Sequence, residues 1–165
     1  MIIFLDIDGV IHPIATSFIP EPFTSIARLE SILIDFPDCR IVISSGLREQ
    51  YTLSCLKKFL SAEIAAHVIG VTPVIQLAIP FRRQCEIEQY LAKSMDSSSD
   101  WIALDDDARH FYKNHPNLIL CSPMTGLDES IEKKIRSKLS SSNRNITNQY
   151  QMIGNTDSSR SRISI

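Results

Sequence analysis

The sequence predicts a parallel α/β fold, with a sheet of buried strands covered by helices on both faces. Five short apolar runs carry the first part of this reading: Ile2–Asp6, Arg40–Ile43, Val68–Val71, Trp101–Leu104 and Asn117–Cys121. They are continuous rather than alternating, as strands buried on both faces are. Helical spacing fills most of the stretches between them, which is the βαβ pattern of a parallel sheet. The chain has 165 residues, about one domain, and is long enough to bury a real core.

The elements follow in order. After the first strand comes an irregular, Pro-containing stretch from His12 to Pro22. Phe23, Ile26, Ala27, Glu30, Leu33 and Phe36 then mark a helix, which Pro37-Asp38 ends. The second strand breaks at Ser44-Ser45-Gly46, and helical spacing resumes over Leu47–Leu60 through Leu53, Leu56, Phe59 and Leu60. The third strand closes at Thr72-Pro73. Arg83–Lys93 is an amphipathic helix with Ile87, Tyr90 and Leu91 on one face. The fourth strand runs into Asp105-Asp106-Asp107, and a last helix spans Gly126–Leu139 after the fifth. Phe23, Leu53, Leu56 and Leu91 read as core, and Trp101 as packed.

Composition excludes several classes. Apolar residues make up 44% and charged residues 22%, and the net charge of −2 gives no strong basic field to attract nucleic acid. No apolar run approaches the ~20 residues that span a bilayer. The start of the chain lacks a basic leader followed by a long apolar run, so the expected compartment is the cytoplasm. Cys39, Cys55, Cys85 and Cys121 form no CxxC pair and read as core residues in a reducing environment. Charge is divided unevenly: residues 1–136 hold 13 basic and 18 acidic residues, whereas 137–165 hold four and one. The expected organisation is one domain over residues 1–139 and a disordered, basic, Ser/Arg-rich tail over 140–165.

The polar clusters fall at the carboxyl ends of strands: Asp6 and Asp8 after the first, Ser44 and Ser45 after the second, Asp105 to Asp107 after the fourth. Parallel strands bring those ends together, and ligands of such sheets bind there. Converging carboxylates need a compensating cation. Oxygen donors without His or Cys favour a hard ion, with Mg²⁺ the expected one. Asp6, directly at the strand end, is the better nucleophile candidate, since a carboxylate can form an acyl phosphate. Asp107 reads as an N-cap, His12 as an exposed loop residue more readily than as one lining the entrance, and His110 and His115 as equally suited to a solvent-facing position.

Phe4-Leu-Asp6-Ile-Asp8-Gly-Val10 resembles the first motif of the haloacid dehalogenase (HAD) phosphohydrolase superfamily. Ile41-Val-Ile-Ser44-Ser45 resembles the second, Arg82-Arg83 stands in place of the basic third, and Trp101-Ile-Ala-Leu-Asp105-Asp106 resembles the acidic fourth. Four shorter strings are similar to the small HAD domains of Swiss Army Knife RNA repair proteins: Ser44-Ser-Gly-Leu-Arg48, Gly70-Val-Thr-Pro73, Arg83-Gln-Cys-Glu-Ile87 and Gly126-Leu-Asp128. The resemblance implies a three-layer Rossmann-like sheet and a Mg²⁺-dependent phosphatase working through an aspartyl phosphate. It implies that Asp8 is the general acid and base, and that Asp6, the Asp8 carbonyl, Asp105 and Asp106 hold the metal. Ser44 and Ser45 would bind phosphate, and Arg83, favoured over Arg82, would fill the basic position. Many members use Lys there, and Arg is not a simple replacement. Arg48 is expected either at the distal part of a substrate or, more readily, at the surface.

Superfamily members often carry a cap domain, but about 14 residues separate Asp8 from the first helix and the stretch from Val68 to Arg83 is also short. The expected site is therefore open and suited to a bulky phosphorylated substrate, with RNA or DNA ends as the first expectation. The rival reading is a noncatalytic binding or regulatory module that keeps the fold.

Overall fold

Strand β1 (Ile2–Leu5) is the axis of the molecule: all four residues are fully buried and both of its edges are paired. The computed structural model describes residues 1–13, 24–94 and 100–142. Within it β1 lies between β2 (Arg40–Ile43) and β4 (Trp101–Asp105), with β3 (Val68–Val71) and β5 (Leu118–Leu120) at the edges. All pairings are parallel, and the order is β3-β2-β1-β4-β5. This is the expected three-layer α/β architecture.

One face carries the larger core. Ile3 and Leu5 of β1 meet Ile41, Ile43, Ile102 and Leu104 there. Helix α1 (Thr24–Asp35) covers them with Leu29, Ile32 and Leu33. A last helix, α5 over residues 129–142, adds Ile131, Ile135 and Leu139 at i, i+4 and i+8. Arg28–Glu132 and Arg136–Asp35 ion pairs tie the two helices at the surface, where such pairs contribute little individually. The opposite face is thinner: Ile2, Phe4, Val42 and Ala103 pack under α4 (Arg82–Lys93) through Ile87, with Phe111 from the next connection. Phe4 sits edge-on between Tyr90 and Trp101, with ring centroids 5.7 and 5.6 Å away.

Three boundaries differ from expectation. The single helix expected over Leu47–Leu60 is a series of short turns: a 3₁₀ turn at Gly46–Glu49, helix α2 at Leu53–Leu56 and a 3₁₀ turn at Lys57–Phe59. The Thr52 hydroxyl takes the Cys55 N–H and starts a new helix, and Ser61 does the same for Ile64 at the head of α3 (Ala62–His67). The last helix starts three residues late because Asp128 caps it, accepting the Ser130 and Ile131 N–H groups. It also continues to residue 142, where the Ser142 hydroxyl donates to Asp100. The rest of the expected tail, 143–165, lies outside the described residues, as does Phe23.

All four cysteines are free thiols, Cys39 and Cys121 in the core, and burial pushes Cys121 up to about 12. No helix among the described residues is long and apolar enough to cross a membrane. Residues 72–81, between β3 and α4, form an irregular loop of ten residues.

Gly126 is a test of this packing. Its φ is +62°, and a Cβ there would overlap the Val10 carbonyl, to which Leu127 N–H also donates at 2.8 Å. Gly126→Ala is expected to cost ~2 kcal/mol or more, read as a lower denaturation midpoint at unchanged slope. A neutral substitution would show that this turn yields freely.

Candidate active site

Register places the site. Leu5 of β1 pairs with Ile43 of β2 and Leu104 of β4, so the next residues, Asp6, Ser44 and Asp105, stand at one level on three neighbouring strands. Main-chain bonds continue the ladders through them: Asp6 N–H donates to Leu104 O at 3.0 Å and Ser44 N–H to Leu5 O at 2.9 Å. Thr72 N–H extends the row to β3 through Ile43 O. By the two-residue period the three side chains share the face of Phe4, Val42 and Ala103, the face under α4.

Helix α4 delivers the opposing charge. Arg83 Nη1 lies 3.1 Å from Asp105 Oδ2 and 3.4 Å from Asp6 Oδ2. Asp6, Asp105 and Asp106 each present an oxygen within 4.8 Å of the others. Asp6 Oδ1 is fixed by Ile7 N–H at 2.7 Å, and Asp105 Oδ1 by Asp107 N–H at 2.9 Å. Burial pushes Asp105 up to about 7, against the pull of Arg83 and with the charge of Asp6 adding. Asp106 is raised by burial and by Asp6. Gly9 is required twice over: its φ is +74°, and a Cβ there would overlap the Asp106 carboxylate. Asp8, two residues past Asp6, is exposed at the rim and outside the three-carboxylate group.

The remaining expected residues divide. Ser44 is buried at its place in the row, whereas the Ser45 hydroxyl accepts Leu47 N–H at 3.4 Å and so caps the following turn. Arg82 does not join the carboxylate cluster. It pairs with Glu49 at 2.6 Å and Glu86 at 3.0 Å, because it lies on the other side of the first turn of α4 from Arg83. Asp107 caps the 3₁₀ turn Ala108–His110 as expected, and hydrogen bonding from Arg109 holds it at about 2. His12 and His110 are half-buried, and His115 leans on Trp101 with centroids 5.3 Å apart.

Arg48 corrects the expectation most sharply. Its side chain is 2% exposed, neither at the surface nor toward a substrate. It donates to Ser44 O at 2.6 Å, Ser45 O at 2.7 Å and Thr72 O at 3.2 Å, and it pairs with Glu86. Glu86, 1% exposed, also takes Ile75 N–H at 3.0 Å and Arg82. One buried ion pair therefore holds together the turn after β2, the loop after β3 and the helix that carries Arg83. Sequence reading missed this role of Glu86. The signal was the presence of Arg48, Thr72-Pro73 and Glu86 within the short strings that resemble the HAD domains of RNA repair proteins, although those strings do not show which residues meet.

The donor set fits a divalent cation. All three side chains offer carboxylate oxygens, they converge within one small volume, and the buried one is driven toward its protonated form despite Arg83 and the Asp107 N–H. Fold and site together define a Rossmann-like α/β protein with an acidic, cation-ready centre at the carboxyl ends of its middle strands. Residues 2–131 match the family described as the HAD domain in Swiss Army Knife RNA repair proteins, and the chain belongs to that family. Searches of curated proteins and of solved structures gave no match.

Two outcomes follow from this geometry. Arg48→Met leaves Glu86 buried with reduced compensation and is expected to cost about 3–5 kcal/mol in urea denaturation, whereas the part-exposed Arg82→Ala should cost under about 1 kcal/mol. Equal costs would mean that Arg48 is not the keystone of the loops. The Asp105 carboxyl rises on folding from its ordinary 3.8 to about 7, so the folded chain holds a proton there that the unfolded chain releases. Its stabilising contribution is complete below the unfolded value and is lost as pH climbs through the folded one. The metal-free melting temperature should therefore fall between about pH 4 and pH 7, less so in Asp105→Asn, and added Mg²⁺ should restore it increasingly toward pH 7. A melting temperature that rises over this range would contradict the assignment.

Proposed function

We propose that this chain is a Mg²⁺-dependent phosphomonoester hydrolase that works through an aspartyl-phosphate intermediate, with terminal phosphates of nucleic acids as its substrate class. The observation that carries the reading is the meeting of Asp6, Asp105, Asp106 and Arg83 at the ends of the central strands. Asp6, Asp105 and Asp106 would hold the cation, with the Asp8 carbonyl. When bound, it offsets repulsion between an anionic nucleophile and an anionic phosphate.

The residues then have distinct tasks. One Asp6 oxygen is held by Ile7 N–H, which fixes the carboxylate plane and leaves the other oxygen turned toward the cluster. That oxygen attacks phosphorus, the bond from phosphorus to the leaving oxygen breaks, and Asp8 gives its proton to that oxygen. In the second half a water attacks phosphorus, Asp8 takes the water proton, and the bond to Asp6 breaks to release phosphate. Exposure of Asp8 suits a group that must meet both the leaving oxygen and water. Arg83 keeps the carboxylates close and offers donors to phosphoryl oxygens. Ser44, fixed in the row, adds a hydroxyl donor.

The substrate class rests on two supports. The family is described from RNA repair proteins. The ten-residue loop 72–81 is also too short for a folded cap, which leaves room for a bulky leaving group. The free thiols accord with a reducing cytoplasm.

Purified protein with Mg²⁺ should hydrolyse phosphorylated oligonucleotide ends and a generic aryl phosphate, and lose this on chelation. Asp6→Asn should lower kcat by at least about 10³-fold. Asp8→Asn should lower it by about 10²–10⁴-fold, most for poor leaving groups. Full turnover by Asp6→Asn would sink the nucleophile assignment, and absence of turnover across a phosphate panel would sink the enzyme.

A further inference from the structure

Just ahead of Arg83 the backbone takes a costly turn. Phe81 has φ 53° and ψ 38°, a left-handed conformation rare for an aromatic residue and one that recurs at functional sites. Its ring is more than a third exposed. It rests on Tyr112, also exposed, with centroids 4.9 Å apart and planes at 59°.

Tyr112 belongs to the connection 106–117, where a single 3₁₀ turn stands in the place of a helix. The face of β4 and β5 on the α4 side is therefore incompletely covered. A cleft of about 490 Å³ remains there, walled by Phe81, Phe111, Tyr112 and His115, with Arg109 and Lys113 also lining it. Asp107 pairs with Arg109 at 2.7 Å, and Glu88 lies close enough to raise the Tyr112 hydroxyl. Asp107 thus offsets Arg109, and the cleft is mainly aromatic and apolar, with Lys113 at its lining.

The chain itself sets this cleft beside the carboxylates. Phe81 is two residues from Arg83, and Ala108, another wall residue, is three from Asp105. At no more than ~3.6 Å per residue, neither backbone position is more than about 11 Å from that of its site residue. That is the scale of one nucleotide from phosphate to base.

We propose that the cleft walled by Phe81 and Tyr112 receives the base of the nucleotide whose phosphate is bound at the carboxylates. The inference rests on the phosphatase reading and adds a subsite to it. Aromatic faces stack on any base, so the subsite favours nucleotides over other phosphate esters without selecting a sequence. A mainly aromatic and apolar lining suits a base.

The test compares KM for adenosine 3′- and 5′-monophosphate with KM for ribose 5-phosphate, which carries a sugar and phosphate but no base. The wild-type protein should show a KM about tenfold lower for at least one nucleotide, within the range lost when a single base–aromatic contact is removed. That ratio should collapse toward one in Tyr112→Ala and in Phe81→Gly, where glycine accepts the positive φ and folding is preserved. A wild-type ratio near one, or a ratio unchanged in both variants, overturns the subsite and leaves the phosphatase standing. If no phosphate ester is turned over, the phosphatase reading fails by itself, and calorimetry with adenosine decides the cleft. Binding that both variants lose keeps it, and no binding overturns it.

Discussion

Three carboxylates cannot share a volume less than 5 Å across unless positive charge is brought to them, and much of this molecule is arranged around that need. The strands force the problem, because in-register parallel pairing sets Asp6 and Asp105 side by side. Arg83 supplies the part of the answer built into the chain. It is effective only if the start of α4 is held over the strand ends, and the buried Arg48–Glu86 pair holds it there. Arg48 spends its other donors on the carbonyls of Ser44, Ser45 and Thr72, so the helix, the turn after β2 and the loop after β3 form one unit.

The two faces of the sheet serve different ends. The face under α1 and α5 is thick, apolar and stapled at its surface, and it resembles a plain structural core. The face under α4 buries fewer apolar groups and carries Asp6, Ser44, Asp105 and the Arg83 that meets them. Economy on that side continues in the connection 106–117, where a turn replaces a helix and an aromatic cleft is left open. Stability is concentrated on one side of the sheet, and chemistry and access on the other.

Much of the fold was legible from local pattern. Each strand is a continuous apolar run, and α5 follows from apolar spacing that its burial matches. By contrast, α1 buries Leu29, Ile32 and Leu33 and exposes the expected Ala27, and α4 buries Arg83, Gln84 and Glu86 beside Ile87. The broken stretch 46–60 was not legible in the same way, since its apolar positions obey a helical period while Thr52 and Ser61 hydroxyls compete for the N–H groups. The site divides similarly. Asp6, Asp105 and Asp106 could be placed together because strand ends of a parallel sheet converge. Arg82 and Arg83 are adjacent in the chain, and only the direction each takes from the helix separates a partner of the carboxylates from a partner of Glu49 and Glu86.

By itself, then, the sequence determined the layer architecture, the carboxylate cluster and the chemistry open to it, because apolar period and residue type act locally and a parallel sheet does the rest. Tertiary structure alone decided that Arg48 is a buried keystone, that Glu86 is its partner and that Ser45 caps a turn. It also decided that Phe81 and Tyr112 meet across the mouth of a cleft. The reason is physical: a charged or aromatic side chain has the same local signature in solvent as in the interior. Its role is set by which distant groups satisfy it, and those distances exist only once the chain has closed.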